Sequence, residues 1–192
     1  MTEIAERFRR VADGLTRTIA AVPDDAWGNP SPCAGWDGRA IVRHLVEWLP
    51  GPGFLLGTFA VETRPIPPVD DDPAGAWAAV RDSIQGGLDD PAVAGRVEDC
   101  GPAGVLSFEA TVDMTATPDV LIHTWDLARA AGVDGELDAE EVARLVAGID
   151  ALPPGVDEAM RASGHSGPRI DVPTDADALT RILAFNGRRA TP

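Results

Sequence analysis

Apolar residues recur every three or four positions in the first part of the chain. The positions that share this spacing are Ile4, Phe8, Val11, Leu15, Ile19 and Val22. Residues at this spacing lie on one face of an α-helix. Pro23 follows them, and it lacks the backbone N–H that a continuing helix needs. The pattern therefore predicts an amphipathic helix over residues 3–22, with its apolar face toward a core.

A second and a third helix are predicted where a start signal precedes a helical pattern. Asp37 is a suitable N-cap for a helix over residues 38–49, because its carboxylate can accept a hydrogen bond from the first turn. Pro73 can serve as the first residue of the next helix, which continues through residues 74–88. The Pro/Asp-rich stretch between these two helices is typical of a surface loop.

A fourth helix is predicted from signals at both of its ends. Thr117 is interpreted as the N-cap, Pro118 as the first helical residue and Asp119 as part of the first turn. Gly132 closes the segment, since glycine readily adopts the left-handed conformation that ends many helices.

The remaining segments are shorter or less regular. Asp138 is expected to cap a fifth helix over residues 139–152, and a short helix is expected over residues 176–185 after Asp175. Residues 91–110 are interrupted by Gly and Pro, and they predict a long connection with a short strand or hairpin. The sum is an all-α, bundle-like domain with one long irregular connection.

Charge and composition narrow the classes of partner. The net charge is −15 and all 16 basic residues are Arg, scattered singly or in pairs. Such an acidic surface repels phosphate backbones, so nucleic-acid binding is disfavoured. The sequence has neither an apolar run long enough to cross a bilayer nor the pattern of a signal peptide, so we expect a cytoplasmic protein. Cys33 and Cys100 are then expected to be free thiols.

Candidate chemistry centres on two histidines within predicted helices. Asp119 and His123 are four residues apart, so their side chains lie on one face of the helix and can bind one ion. His44, from a facing helix, would add a third ligand and leave an open position. Two imidazoles and a carboxylate suit zinc, and also iron or nickel. Spacing leaves an alternative open, because an acidic residue in a first turn also stabilises the helix dipole without any metal.

Three segments carry a resemblance to a known family. They are SPCAGWDGRAIVRHLVEW at 31–48, DVLIHTWDLARAAG at 119–132 and LAFNGRRATP at 183–192. In order and spacing they resemble the N-terminal domain of the mycothiol-dependent maleylpyruvate isomerases, a group of the DinB-like superfamily. The chain is most similar to the short actinobacterial branch of that group, and the similarity spans nearly its whole length.

The resemblance implies a fold and a ligand set. The fold would be a DinB-like four-helix bundle with an additional helix and a short irregular C-terminal segment. Residues 1–192 would form a single domain, with the bundle at about 1–150 and residues 151–192 packed on it as an extension. The metal ligands implied by the motifs are His44, Asp119 and His123. The family often has Glu where this chain has Asp119, which is one carbon shorter.

The resemblance also implies an activity that depends on a divalent metal, with zinc as the first choice. The metal would activate mycothiol, which is then either transferred to a small electrophile or used to isomerise it. The thiol of the cosubstrate would supply the nucleophile, so no catalytic side chain is assigned. Asp126 is a candidate for orienting a ligand imidazole, with an ion pair or hydrogen bond to Arg129 or to a loop as the alternative. A homodimer is compatible with the family. The alternative function is a non-catalytic helical bundle that binds a ligand or a partner and holds metal weakly or not at all.

Several other residues have roles that the sequence leaves open. Trp36, Trp48 and Trp125 are expected to pack in the core or over the site rather than to form a substrate platform. His165 would be a fourth ligand only if the C-terminal segment folds over the site. Arg43 borders His44 and could hold a substrate carboxylate, although a solvated helix position explains it equally.

Overall fold

A computed structural model of the chain describes residues 2–162 and 167–190, and these are predominantly helical. The helices are α1 (Glu3–Ala21), α2 (Gly38–Trp48), α3 (Leu55–Thr58), α4 (Pro73–Asp89), α5 (Pro91–Ala94), α6 (Phe108–Thr111), α7 (Thr117–Ala131), α8 (Ala139–Asp150), α9 (Val156–Ala162) and α10 (Ala178–Phe185). Two short strands, β1 (Val97–Asp99) and β2 (Val105–Ser107), complete the regular structure together with a 3₁₀ turn (Gly101–Ala103) and a π turn (Val112–Ala116).

The chain divides into two compact units, Met1–Leu137 and Asp138–Pro192. The division falls just before α8. The first unit thus holds the bundle, and the additional helix α8 belongs to the second unit.

In the first unit, four long helices form the predicted bundle. α1 packs on α4 and α7, and α2 packs on the same two helices. Large side chains that are wholly buried fill the space between them, among them Phe8, Ile41, Trp77 and Leu121. The all-α prediction and the bundle are therefore confirmed. The indole N–H of Trp77 donates to Thr16 Oγ1 at 3.0 Å, so even the polar edge of this large side chain is satisfied.

The connection between α4 and α7 contains the hairpin expected over residues 91–110. β1 and β2 pair antiparallel, with Val97 opposite Ser107 and Asp99 opposite Val105. Within the described residues, no helix combines the length and apolar character that crossing a bilayer would require.

The predicted start of the fourth helix is wrong. Thr117 is not an N-cap, because the backbone ahead of it is already helical: α6 begins at Phe108, capped by Ser107 Oγ, and continues through the π turn into α7. The π turn has a physical reason. Pro118 has no N–H to donate, and its ring would clash with a carbonyl one turn back in a regular helix. The wider turn relieves this, and the Thr117 N–H reaches back five residues to Val112 O.

The second unit is built from α8, α9 and α10, and α8 packs on α10. Asp138 caps α8 as predicted, since its Oδ1 accepts from Glu141 N at 2.8 Å. α10 starts two residues later than predicted. Its cap is Asp177 rather than Asp175, with Oδ1 accepting from Thr180 N at 2.9 Å.

Candidate metal centre

Helix α2 delivers His44 to the interior of the first unit. Asp37 fixes the start of α2, where its Oδ1 accepts from Ala40 N at 2.8 Å. The next residue, Gly38, allows α2 to approach its neighbours closely. A Cβ at Gly38 would lie 3.2 Å from Trp27 O and 3.3 Å from Leu127 Cδ1, tighter than nearly all real contacts. The glycine therefore lets α2 lie close against α7, which carries Asp119 and His123.

The three predicted ligand side chains converge. His44 Nε2 lies 3.2 Å from Asp119 Oδ2, and His123 Nε2 lies 3.4 Å from Asp119 Oδ1. One ligand atom from each of the three residues can be chosen so that all lie within 4.8 Å of one another. Two atoms bound tetrahedrally to one zinc ion at about 2.0–2.1 Å are separated by about 3.3 Å. The separations of 3.2 Å to Oδ2 and 3.4 Å to Oδ1 are each close to this value, so the shorter arm of Asp119 reaches one imidazole with each of its two oxygens.

The centre is open on one side and closed on the other. The side chains of His44 and Asp119 are about a quarter exposed, at 26% and 25%, whereas that of His123 is only 7% exposed. Asp126, on the far side of His123, is fully buried. A small molecule can therefore approach from the side of His44 and Asp119.

Asp126 sets the orientation of His123. Its Oδ2 lies 3.0 Å from His123 Nδ1, with both side chains buried. An ionised carboxylate can only accept hydrogen bonds, so a neutral His123 imidazole paired with an ionised Asp126 carries its proton on Nδ1. The Nε2 lone pair then points toward the Asp119 carboxylate, which is also an acceptor. A cation or an additional proton between them removes the repulsion between these two groups.

The π turn changes the interpretation of Asp119. The alternative explanation for this carboxylate was a favourable interaction with the N-terminus of a helix. That interaction is confined to the first turn, and the helical backbone here begins at Phe108, well before Asp119. A dipole role therefore accounts poorly for an acidic side chain at this position.

Aromatic rings surround the two histidines. The Trp36 ring centroid lies 5.0 Å from that of His44 and 5.7 Å from that of His123. Trp48 stacks on His44 at 5.3 Å and on Phe54 at 4.0 Å. Trp36 and Trp48 are half-buried and border the centre. Trp125, by contrast, is buried, with the Arg129 guanidinium over its ring.

Sequence reasoning missed the place of Cys33. Its Sγ lies 3.2 Å from Asp126 Oδ2, and Cys33, His123 and Asp126 form a second group of donor atoms within 4.8 Å of one another. The contact joins residues 93 positions apart, and no periodicity indicates it. Cys33 and Cys100 are both half-buried, and no disulfide joins them.

The other sequence candidates lie away from the donor atoms or outside the described structure. Arg43 donates to Asp70 Oδ1 at 2.6 Å, and it lines a surface cleft of about 370 Å³ that Trp36 also borders. His165 falls outside the described residues, so its role as a fourth ligand stays a prediction.

Comparison with known proteins identifies the family of the chain. The model of the mycothiol maleylpyruvate isomerase N-terminal domain family matches residues 8–128, which include all three candidate ligands. The chain belongs to this family. The resemblance seen in the sequence is thereby confirmed.

Relatives of nearly the same length are found among curated proteins. An uncharacterized protein of Mycobacterium tuberculosis (strain CDC 1551 / Oshkosh) is 30% identical over 186 residues, covering 94% of each chain. A protein of strain H37Rv, also named as uncharacterized, matches with the same identity and coverage. No solved structure matches the chain significantly.

Proposed function

We propose that this protein is a metal-dependent enzyme that uses a small thiol, mycothiol. It would either transfer mycothiol to a small electrophile or use mycothiol to isomerise that electrophile. His44, Asp119 and His123 would hold the metal, with zinc as the first choice and nickel or iron as alternatives. One observation carries the proposal: donor atoms of His44, Asp119 and His123 lie within 4.8 Å of one another, and the imidazole Nε2 atoms lie 3.2 and 3.4 Å from the two oxygens of the Asp119 carboxylate. The family supplies the thiol and the isomerase chemistry.

The residues of the chain divide the work in this proposal. When bound, the metal would supply Lewis acidity, which lowers the pKa of a coordinated thiol and holds the thiolate as a nucleophile. Asp126 holds His123 in the tautomer that offers Nε2. The exposed edge formed by His44 and Asp119 admits the cosubstrates, while Trp36 and Trp48 limit the access of water around the imidazoles. No side chain of the protein needs to act as the nucleophile.

Metal content and thiol consumption test the proposal together. Protein purified without chelator or a metal-binding tag should contain about one divalent ion per chain, and it should accelerate the loss of mycothiol in the presence of an electrophile. His44→Ala should lose both properties. Arg43→Ala, a change at the neighbouring position of the same helix, should keep the metal and serves as the control. Metal-replete protein that consumes no thiol with any electrophile would rule out the enzymatic part.

A second function has one observation in its favour. Separations of 3.2 and 3.4 Å are also compatible with hydrogen bonds between protonated imidazoles and Asp119. His44, Asp119 and His123 can thus lie this close together without an ion. This is expected of a non-catalytic bundle that binds a ligand or a partner. The metal content of His44→Ala separates the two functions, since an unchanged content would remove His44 from the metal site.

A further inference from the structure

We infer that Cys33 is a positioning residue of the proposed metal centre, acting through Asp126 on the imidazole of His123. The inference rests on the proposed function, because the position of His123 matters most if its Nε2 binds a metal. Cys33 lies outside the set of three ligands, and its thiol contacts the carboxylate behind one of them.

A closed loop holds Cys33 in place. Pro30 and Asp37 form an isolated antiparallel bridge, so the chain between them leaves and returns at one point. Within the loop, Ser31 N donates to Trp36 O at 2.8 Å, Trp36 N donates to Cys33 O at 3.0 Å, and Cys33 N donates to Ser31 Oγ at 3.1 Å. The same loop thus delivers Trp36 above the two imidazoles and Cys33 behind His123.

The contact pattern makes one oxygen atom the link. Asp126 Oδ2 lies 3.2 Å from Cys33 Sγ and 3.0 Å from His123 Nδ1. A thiol is a weak donor, so its hydrogen bond to the carboxylate helps to fix the direction in which Oδ2 points. Asp126 is fully buried, so water does not readily replace this bond. Loss of the thiol would remove one of the contacts that fix the carboxylate, and His123 would be held less firmly.

Direct coordination of a metal by Cys33 is the competing account, since Cys33, Asp126 and His123 also form a group of nearby donor atoms. An ion there would need the Nδ1 lone pair of His123. That nitrogen faces the Asp126 carboxylate at hydrogen-bond distance and carries the proton in the tautomer assigned above. The same nitrogen cannot donate to Asp126 and bind an ion at once, so the geometry points to positioning rather than ligation.

The test compares Cys33→Ala with Cys33→Ser, which keeps a hydrogen-bond donor, and with Cys100→Ala as a matched control. Cys100 is the other half-buried thiol, and it contacts Thr111 Oγ1 at 3.5 Å. Removing a group that supports a metal ligand typically weakens binding by about 10–100-fold, so Cys33→Ala should raise the zinc dissociation constant about tenfold. Cys33→Ser should restore most of the affinity, and Cys100→Ala should bind zinc like the wild type.

A second readout needs no metal. In zinc-free protein, ¹H–¹⁵N spectra of the histidine side chains should show His123 as the Nδ1–H tautomer in the wild type and in Cys33→Ser. The Cys33→Ala spectrum should show a mixture of tautomers. Thermal melting of each variant measures any general loss of stability. Such a loss by itself would leave the tautomer of His123 in the folded protein unchanged.

Three results would overturn the inference. The first is a Cys33→Ala variant that keeps both the affinity and the tautomer of the wild type. The second is a Cys33→Ser variant as weak as Cys33→Ala. The third is an intense near-ultraviolet thiolate-to-metal band in the cobalt-substituted wild type that Cys33→Ala lacks, which would make Cys33 a ligand. A wild type that binds no zinc would refute the proposed function instead, and the tautomer alone would then decide the role of Cys33.

Discussion

Replacing His44 with alanine removes one of the three donor groups and also the ring that lies against Trp36 and Trp48. The two losses differ in how they respond to zinc. The lost ring contacts destabilise the protein with or without metal, whereas the lost ligand matters only when zinc is present. The stability of the variant measured with zinc and with chelator therefore separates them.

The expected sizes follow from binding linkage and from packing. Free zinc at 1,000 times the dissociation constant stabilises the folded protein by about 4.1 kcal/mol. For a protein of this size each kcal/mol corresponds to about 2–4 °C, so zinc should raise the wild-type Tm by about 8–16 °C. If His44→Ala binds zinc a thousandfold more weakly, zinc stabilises it by only about 0.4 kcal/mol, which raises its Tm by about 1 °C. The ring contacts add about 1 kcal/mol of zinc-independent loss, because His44 is partly exposed.

Thermal melting in zinc and in excess chelator gives the required differences, with Arg43→Ala as the control. Arg43 adjoins His44 on α2 and pairs with Asp70 at the surface, so its loss should leave the zinc-dependent shift intact. Equal zinc-dependent shifts in the wild type and His44→Ala would refute the assignment of His44. A wild type with no shift at saturating zinc would refute the metal centre itself.

Three further variants probe the support of the site and the fold. Asp126→Asn should weaken zinc binding about 10–100-fold in isothermal titration, because the amide no longer holds His123 in one tautomer; unchanged affinity would contradict this role. Gly87→Ala should cost about 1–3 kcal/mol in urea unfolding, since the added Cβ would lie 2.8 Å from Phe108 Cε1; wild-type stability would contradict the packing described. The backbone hydrogen bond that caps α10 holds the pKa of Asp177 below its usual 3.8. The ionised carboxylate therefore stabilises the fold above that pH, and this stabilisation is lost as the pH falls and Asp177 becomes protonated. Asp177→Ala should therefore melt below the wild type at neutral pH and together with it in strong acid; a difference that persists in strong acid would contradict the capping role.

The sequence was sufficient to predict the main helices because their signals are local. Apolar spacing, the caps at Asp37 and Asp138, and the closing Gly132 each act within one or two turns. The boundary at Thr117 was wrong for the same reason. Thr-Pro followed by an acidic residue is typical of a helix start, but Ser107 had already begun the helix. The π turn that accommodates the proline has no comparable local signal.

The candidate site was predictable only in part. His123 and Asp119 lie one turn apart on a single helix, so their proximity follows from helical geometry alone. The approach of His44 depends on how α2 packs on α7, which local signals do not determine and the family motif implies. The contact of Cys33 with Asp126 depends on the path of an irregular loop, which no periodic pattern determines.

The central claim concerns one ion at one place, and crystals grown with zinc can test it directly. Anomalous scattering measured at the zinc absorption edge locates the metal without reference to its ligands. The account predicts a strong peak bonded to His44 Nε2, an Asp119 oxygen and His123 Nε2, each at about 2.0–2.2 Å. The absence of a peak among these three side chains, or a peak bonded to Cys33 and His123 Nδ1 instead, would contradict it.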